Sequence, residues 1–342
     1  MFGGDYLYNR KVKIVKKSIL ISIILLAICT YMGLVIFAQN KFWASSQLEN
    51  ITLDMNKYNN YLDQLEADDT ATESIVIQAN YDAMSVPEDC NNFIKQCNEI
   101  IVKFFLDNYA IDVTEKLNQL QPHYVSYPDE VSDFVGGSYY SDIPEFSSKI
   151  FFNKNIIDNF IADVSNGEDM SIYNDSVLSF RLMRTIYIHE TMHYLGFSSE
   201  NVFDYFTEAM AESLNEKVQA YSGINYENIT GYAGIKDTAS QIIDVDKEIV
   251  TNVLTNGADF NLTGYFNEQM DGDYAKVFEN LIMLQQKGAD KTHSDISYFI
   301  QFIIYEYMKA TQNYIEKPKS LTKSIEPNFE LKWLLFHSYR YN

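Results

Sequence analysis

The most apolar part of the chain is "SILISIILLAICTYMGLVIFA", residues 18–38, a run of 21 residues without a charge. A helix of this length extends about 31 Å, the hydrocarbon thickness of a bilayer. Five Lys or Arg residues and one acid precede the run, which predicts a cytoplasmic segment 1–17 and an outward-facing remainder. We therefore expect a single-pass anchor in the cell membrane. The alternative, secretion after signal cleavage near Ala38, fits less well because signal cores span about 7 to 15 residues.

Residues 39–85 are mainly polar, with scattered apolar positions at Leu53, Tyr58, Leu62 and Leu65. This spacing is compatible with a helical stalk and with a loose tether. The next apolar stripe predicts a helix at about 87–108 and contains Phe93, Cys97, Ile100, Ile101, Phe104 and Phe105. We expect the folded domain to begin there and to comprise residues 86–342.

Within this domain, short apolar segments come first and helical periodicity follows. "HYVSY" (123–127), "GSYYS" (137–141) and "KIFFN" (149–153) predict a small antiparallel sheet. Helices are predicted at about 176–195, 202–221, 238–255, 273–287 and 294–314. The apolar segment 297–308 contains Gln301 and Glu306 and is too short to cross a bilayer, so we expect a buried core helix. The predicted fold class is α+β and mainly helical.

The charge balance narrows the choice of partners. The net charge of the chain is −21, and the part after residue 17 is more acidic still because residues 1–17 are net positive; such a surface repels nucleic acids and anionic lipids. It suits a cationic peptide or a bound cation better. Cys90 and Cys97 are seven residues apart on a predicted helix, about 10.5 Å, which is beyond the limit of about 7 Å for a disulfide.

The segment "HETMHYLGF", residues 189–197, places two of the five histidines four positions apart. On a helix His189 and His193 project from the same side, one turn apart, and can bind one Zn²⁺. Glu190 follows the first histidine, where its carboxylate cannot easily join the ligands but can accept a proton from water. A pair of ordinary helix histidines beside a glutamate is the alternative interpretation.

A catalytic zinc site needs a third protein ligand. The metzincin pattern ends in a further histidine, but this chain has Ser199 at that position. The segment "FTEAMAESLNE", residues 206–216, instead resembles the second helix of the gluzincins, the zincin metallopeptidases with a glutamate ligand. The resemblance covers about residues 181–216. It implies that Glu208 completes the metal site and that Glu212 hydrogen-bonds a ligand imidazole.

Other assignments of the acids remain open from the sequence. Glu212, Glu200 or Asp204 are alternative third ligands, and Glu208 and Glu212 also fit a solvated helix face, opposite the apolar stripe Phe203, Phe206, Met210 and Leu214. The small side chains of Ala209 and Ala211 favour a close approach of the two helices.

The resemblance also implies a zincin-like domain, amide hydrolysis with Glu190 as general base, and a Tyr or His that stabilises the oxyanion. Tyr205, Tyr232 and His293 are the candidates for that role. Because gluzincin-like folds often pair an extended substrate with an edge strand, "KIFFN" is the predicted substrate-binding strand.

The sequence therefore predicts a membrane-anchored, extracytoplasmic zinc metallopeptidase, more in keeping with an endopeptidase than an exopeptidase, that acts on a protein or peptide. The alternative is a non-catalytic binding or adhesion module with a structural or decayed zinc site. An intramembrane protease is disfavoured because Arg181 and Arg184 lie on the motif helix.

Overall fold

The computed structural model describes residues 55–197, 203–226, 231–291 and 293–311. The chain divides into two units, Met1–Tyr58 and Asn59–Asn342. In the first unit a 3-10 helix is described at Asn56–Tyr58. The predicted span, residues 18–38, lies outside the described residues, and no helix among those described is long and apolar enough to cross a membrane.

The described part of the second unit is mainly helical, as expected, with a small four-stranded sheet. In chain order its helices and strands are α1 (Asn59–Asn80), β1 (Met84–Ser85), α2 (Glu88–Tyr109), α3 (Thr114–Gln119), β2 (Gln121–Val125), α4 (Asp129–Ser132), β3 (Gly137–Ser138), β4 (Lys149–Asn153), α5 (Lys154–Ser165), α6 (Leu178–Leu195), α7 (Asp204–Tyr221), α8 (Ala233–Val245), α9 (Lys247–Asn256), α10 (Leu262–Gln269), α11 (Ala275–Gln286) and α12 (Ser294–Ala310).

The sheet is mixed, which corrects the prediction of an antiparallel one. Its strand order is β1-β2-β4-β3. β1 and β3 are antiparallel to their neighbours, whereas β2 and β4 run parallel, with His123 opposite Phe151. A parallel pair requires a long crossover connection, and residues 126–148 provide it through α4 and β3.

The predicted helices are present, with one break. The segment predicted as a single helix at 238–255 forms α8 and α9, which meet at Asp246. The Asp246 carboxylate accepts a hydrogen bond from the backbone N–H of Glu248 at 3.0 Å and so caps α9. It also accepts hydrogen bonds from the hydroxyls of Tyr265 and Tyr307. This capping competes with continuation of the helix.

Helix α1 falls inside the segment predicted as a stalk or tether. Its Val76 belongs to an apolar cluster with Val125, Tyr127, Val131, Phe146 and Phe151. In the middle of the helix Asp69 pairs with Lys287 at 2.9 Å. The contacts of α1 therefore extend the folded unit upstream of the predicted start at residue 86.

Helix α6 lies at the centre of the fold. It packs against α2, α5 and α7 and against strands β3 and β4. Cys90 and Cys97 on α2 are buried and free, as the helical spacing predicted. The apolar helix α12 is buried along Ile300, Phe302, Ile303 and Ile304, which confirms it as a core helix.

A buried acid on α11 fixes the start of α7. The Glu279 carboxylate accepts hydrogen bonds from the backbone N–H groups of Tyr205 at 2.6 Å and Phe206 at 3.0 Å. These N–H groups belong to the first turn of the helix, where N–H groups have no acceptor within their own helix. Burial raises the pKa of Glu279 to about 8, against the opposite effect of these two bonds. Glu279 thus sets the position of the helix that carries Glu208.

Candidate metal centre

His189 and His193 lie on one face of α6 and are both buried. Their rings are 4.8 Å apart between centroids, one helical turn from each other. The helix ends at Gly196, whose φ of 127° is a conformation that side chains rarely adopt. A Cβ at Gly196 would also lie 3.0 Å from Val253 O. This glycine turns the chain so that the carbonyl of Phe197 accepts a hydrogen bond from His193 Nδ1 at 2.5 Å.

Helix α7 brings two carboxylates to the histidines. Glu212 is fully buried and the Glu208 side chain is 28% exposed. Glu212 therefore does not belong to a solvated helix face, whereas Glu208 is partly exposed beside the histidines. Ala209 and Ala211 are fully buried in the same helix, which packs directly on α6. Their small side chains let the two helices come close enough for both acids to reach an imidazole.

Three donor atoms form a small triangle. His189 Nε2 lies 3.1 Å from His193 Nε2, and Glu208 Oε2 lies 3.1 Å from His189 Nε2 and 3.4 Å from His193 Nε2. Donors of a tetrahedral Zn²⁺ at 2.0 to 2.1 Å are separated by about 3.3 to 3.4 Å. The three side chains therefore have the spacing that one such ion requires.

The outer nitrogens of both imidazoles have acceptors. His189 Nδ1 hydrogen-bonds Glu212 Oε2 at 2.7 Å, and His193 Nδ1 faces the Phe197 carbonyl. In a neutral imidazole a protonated Nδ1 leaves the lone pair on Nε2. The two Nε2 lone pairs and the Glu208 carboxylate then point at one another. Three acceptors at this separation repel each other unless protons or a metal ion lie between them, so the donor set attracts positive charge.

The electrostatics agree with this requirement. Burial lowers the pKa of His189, but the hydrogen bonds and charges of Glu208 and Glu212 outweigh it and raise the pKa well above its usual value. Burial opposes ionisation of Glu208, yet His193 and His189 hold its pKa well below the usual range. The site therefore favours an ionised carboxylate beside a positive charge.

Glu190 lies on α6 and is 8% exposed. Burial raises the pKa of this carboxyl, although His189 and His193 act in the opposite direction. A carboxylate with a raised pKa is a stronger base near neutral pH. Glu190 is outside the donor triangle, as the sequence predicted for a base rather than a ligand.

Strand β3, at the edge of the sheet, lies against Glu190. A Cβ at Gly137 would lie 2.5 Å from Ile186 Cγ2 and 3.2 Å from Glu190 Cγ. The predicted edge strand "KIFFN" is wrong, because β4 pairs with β2 on one side and β3 on the other. The strand beside the site is β3, which lies within the predicted strand "GSYYS" and forms the edge of the sheet.

Gly137→Ala tests how closely β3 must approach α6. We expect it to lower the free energy of unfolding by about 1 to 3 kcal/mol, since an added methyl group overpacks the contact with Ile186 and with the backbone oxygen of Phe151. Gly136→Ala is the control, because its Cβ would meet mainly the flexible end of Ile186, with Cδ1 at 2.8 Å. Urea unfolding measures both. Equal stability of Gly137→Ala and the wild type would show that the approach is loose.

The three candidates for oxyanion stabilisation lie in different places. The Tyr232 ring stacks on His189 with centroids 5.6 Å apart. The Glu208 charge and burial raise the pKa of Tyr232 well above its usual value. The hydroxyl of Tyr205 donates to Asp69 on α1. His293 is the N-cap residue of α12 and its Nδ1 contacts Ala289 O. Of these, Tyr232 contacts the triangle.

The alternative third ligands are not part of the triangle. Asp204 is exposed at the start of α7 and does not join the triangle. Glu200 lies outside the described residues. Among the residues that the structure describes, His189, His193 and Glu208 form the group that can hold a metal ion.

The sequence predicted an imidazole partner for Glu212, which is His189, but missed its two other partners. Asn215, one turn further along α7, donates to Glu212 Oε2 at 3.4 Å and to the Thr185 carbonyl at 3.1 Å. Tyr226, in the loop after α7, donates its hydroxyl to Glu212 Oε1. The spacing of Asn215 from Glu212 was a usable signal. Nothing local marked Tyr226 among 26 tyrosines.

Comparison of the chain with models of protein families, with curated proteins and with solved structures finds no match.

Proposed function

We propose that the chain is a zinc-dependent metallopeptidase of the gluzincin type. The observation that supports this most is the donor triangle, in which two imidazole Nε2 atoms and a carboxylate oxygen face one point from two neighbouring helices. The Nδ1 atoms, on the side away from the triangle, are held by hydrogen bonds: His189 to Glu212 and His193 to the Phe197 carbonyl. Such outer partners orient metal-binding histidines and set their tautomer.

His189, His193 and Glu208 would hold the ion, and Glu212 would orient His189. A bound Zn²⁺ supplies Lewis-acid polarisation of a carbonyl and lowers the pKa of water. Three protein ligands leave a fourth position, which is the pattern of catalytic rather than structural zinc sites.

Glu190 carries out the proton transfers. Its carboxylate accepts a proton from the attacking water as the new bond forms between the water oxygen and the scissile carbonyl carbon. The same proton then passes to the amide nitrogen as the carbon–nitrogen bond breaks, so that a carboxylic acid and an amine result. The raised pKa of Glu190 suits both acceptance and return of the proton.

Tyr232 is the donor best placed to stabilise the negative charge that develops on the carbonyl oxygen. Its ring stacks on His189, and the charge of Glu208 raises the pKa of its hydroxyl. A positioned hydroxyl that donates to a developing oxyanion contributes strongly in a site of low polarity.

The substrate in this proposal is a protein or peptide. An extended peptide can pair with β3, which ends the sheet beside Glu190. The negative charge of the chain favours cationic peptides over nucleic acids. We place the domain outside the cytoplasmic membrane, anchored by residues 18–38, because of the basic segment that precedes this apolar run.

Removal of the metal tests this function. The full chain, purified in a mild detergent, is incubated with a mixture of peptides, and cleavage products are identified by mass spectrometry. We expect cleavage within peptides, its loss after dialysis against a chelator, and its recovery when one equivalent of Zn²⁺ is returned. Cleavage that persists in the metal-free protein would contradict the proposal.

A further inference from the structure

The connection between α7 and α8 contributes two tyrosines near His189. Tyr232 stacks on the His189 ring, whereas Tyr226 contacts Glu212, the acid behind that ring. The Tyr226 ring is itself held, since Lys236 Nζ of α8 lies 4.8 Å from its centroid. Lys236 also pairs with Glu216 of α7 at 2.9 Å. Tyr226 is thus seated against both helices.

The two oxygens of Glu212 have different partners. Oε2 accepts hydrogen bonds from His189 Nδ1 at 2.7 Å and from Asn215 at 3.4 Å. Oε1 accepts one from the Tyr226 hydroxyl. The carboxylate is fully buried, and a buried charge needs a donor at each oxygen to offset its lost hydration.

The Oε2 side is braced by a buried polar chain between α6 and α7. Asn215 Oδ1 accepts from Gln219 Nε2 at 2.9 Å, and Gln219 Oε1 accepts from Arg184 Nε at 3.0 Å. Arg184 pairs with Asp175 at 2.8 Å. Asn215, Gln219 and Arg184 are all at most 1% exposed. This chain fixes one edge of the Glu212 carboxylate, and Tyr226 holds the other.

We propose that Tyr226 is a positioning residue of the metal centre. By donating to Glu212 Oε1, it keeps Oε2 directed at His189 Nδ1, and so keeps the His189 Nε2 lone pair directed into the donor triangle. Without the hydroxyl, Oε1 loses the donor that holds it and the carboxylate is free to rotate. Rotation moves Oε2 out of line with His189 Nδ1 and so misaligns His189. The inference rests on the proposed zinc site and extends control of that site to the connection after α7.

Tyr226→Phe tests this inference, because it removes the hydroxyl and keeps the ring over which Lys236 lies. Zinc affinity of the full chain is measured by competition with a chromophoric chelator. We expect about a 10-fold loss of affinity, the lower end of the range for outer partners of metal ligands. Tyr265→Phe is the matched control, since that hydroxyl also donates to a buried carboxylate, Asp246 at 2.9 Å, and its zinc affinity should equal that of the wild type.

A double-mutant cycle with Glu212→Gln separates positioning from a general loss of stability. We expect Tyr226→Phe to change zinc affinity much less in the Glu212→Gln background, because its effect passes through the carboxylate. A purely structural role would lower the unfolding midpoint of the metal-free protein and leave zinc affinity unchanged. If Tyr226→Phe folds only when zinc is present, a refolding experiment replaces the titration. The zinc concentration that restores half of the folded signal is then compared between Tyr226→Phe and Tyr265→Phe.

The outcomes are distinguishable. Wild-type protein that binds no zinc would overturn the proposed function itself. Wild-type protein that binds zinc while Tyr226→Phe binds it equally well would overturn only the role of Tyr226.

Discussion

Glu190→Gln is expected to reduce kcat for peptide cleavage by about 10²- to 10⁴-fold while zinc affinity stays close to that of the wild type. The amide keeps the size of the side chain but cannot accept the proton of the attacking water. Zinc is retained because Glu190 is not one of the three donors in the triangle. Initial rates with a cleaved peptide, together with zinc content, measure both quantities.

Glu168→Gln is the control for this variant, since Glu168 is an exposed acid in the segment before α6. Its cleavage rate should match that of the wild type. A Glu190→Gln protein that binds zinc and cleaves at the wild-type rate would remove Glu190 as the base. Zinc binding without any cleavage by the wild type would favour the alternative, a binding module with a structural or decayed site.

The spacing of residues along one helix predicted the two histidines of the donor triangle, whereas Glu208 was implied by the resemblance to the gluzincins and had alternatives. The four-residue step from His189 to His193 places both rings on one face, because that step is close to one helical turn. The 14 residues between His193 and Glu208 allow the chain to turn back, and Gly196 provides the helix end. These are local constraints, which a sequence displays directly.

Features that depend on distant contacts were not predictable in the same way. The pairing of β2 with β4 joins segments more than 20 residues apart, and this pairing leaves β3 rather than "KIFFN" at the edge of the sheet. The break at Asp246 arises from capping by a side chain that two distant tyrosines also contact. Hydrophobic periodicity alone predicts one continuous helix for such a segment.

The residues around the metal ligands were the part of the site least predictable from the sequence. Tyr226 and Tyr232 come from the connection after α7, and each is one tyrosine among 26. Their roles follow from their contacts: Tyr226 hydrogen-bonds Glu212, and Tyr232 stacks on His189. Glu279 contacts α7 from more than 70 residues further along the chain. Packing, rather than pattern, determines these partners.

Glu208→Ala is expected to weaken zinc binding by about 10³-fold. Closed sites with four protein ligands bind Zn²⁺ with apparent free energies of about 10 to 16 kcal/mol, so one ligand accounts for up to about 4 kcal/mol, or about 10³-fold in affinity. The variant also leaves two imidazoles without the carboxylate that now lies 3.1 and 3.4 Å from their Nε2 atoms. Asp204→Ala is the control, because this acid starts the same helix and is not part of the triangle.

The most direct test is a zinc titration of the full chain, the Glu208→Ala variant and the Asp204→Ala variant under the same conditions. The account predicts one tightly bound zinc per chain for the wild type and for Asp204→Ala, and a loss of tight binding for Glu208→Ala. Tight binding of one zinc by Glu208→Ala, or the absence of zinc binding by the wild type, would contradict a site formed by His189, His193 and Glu208.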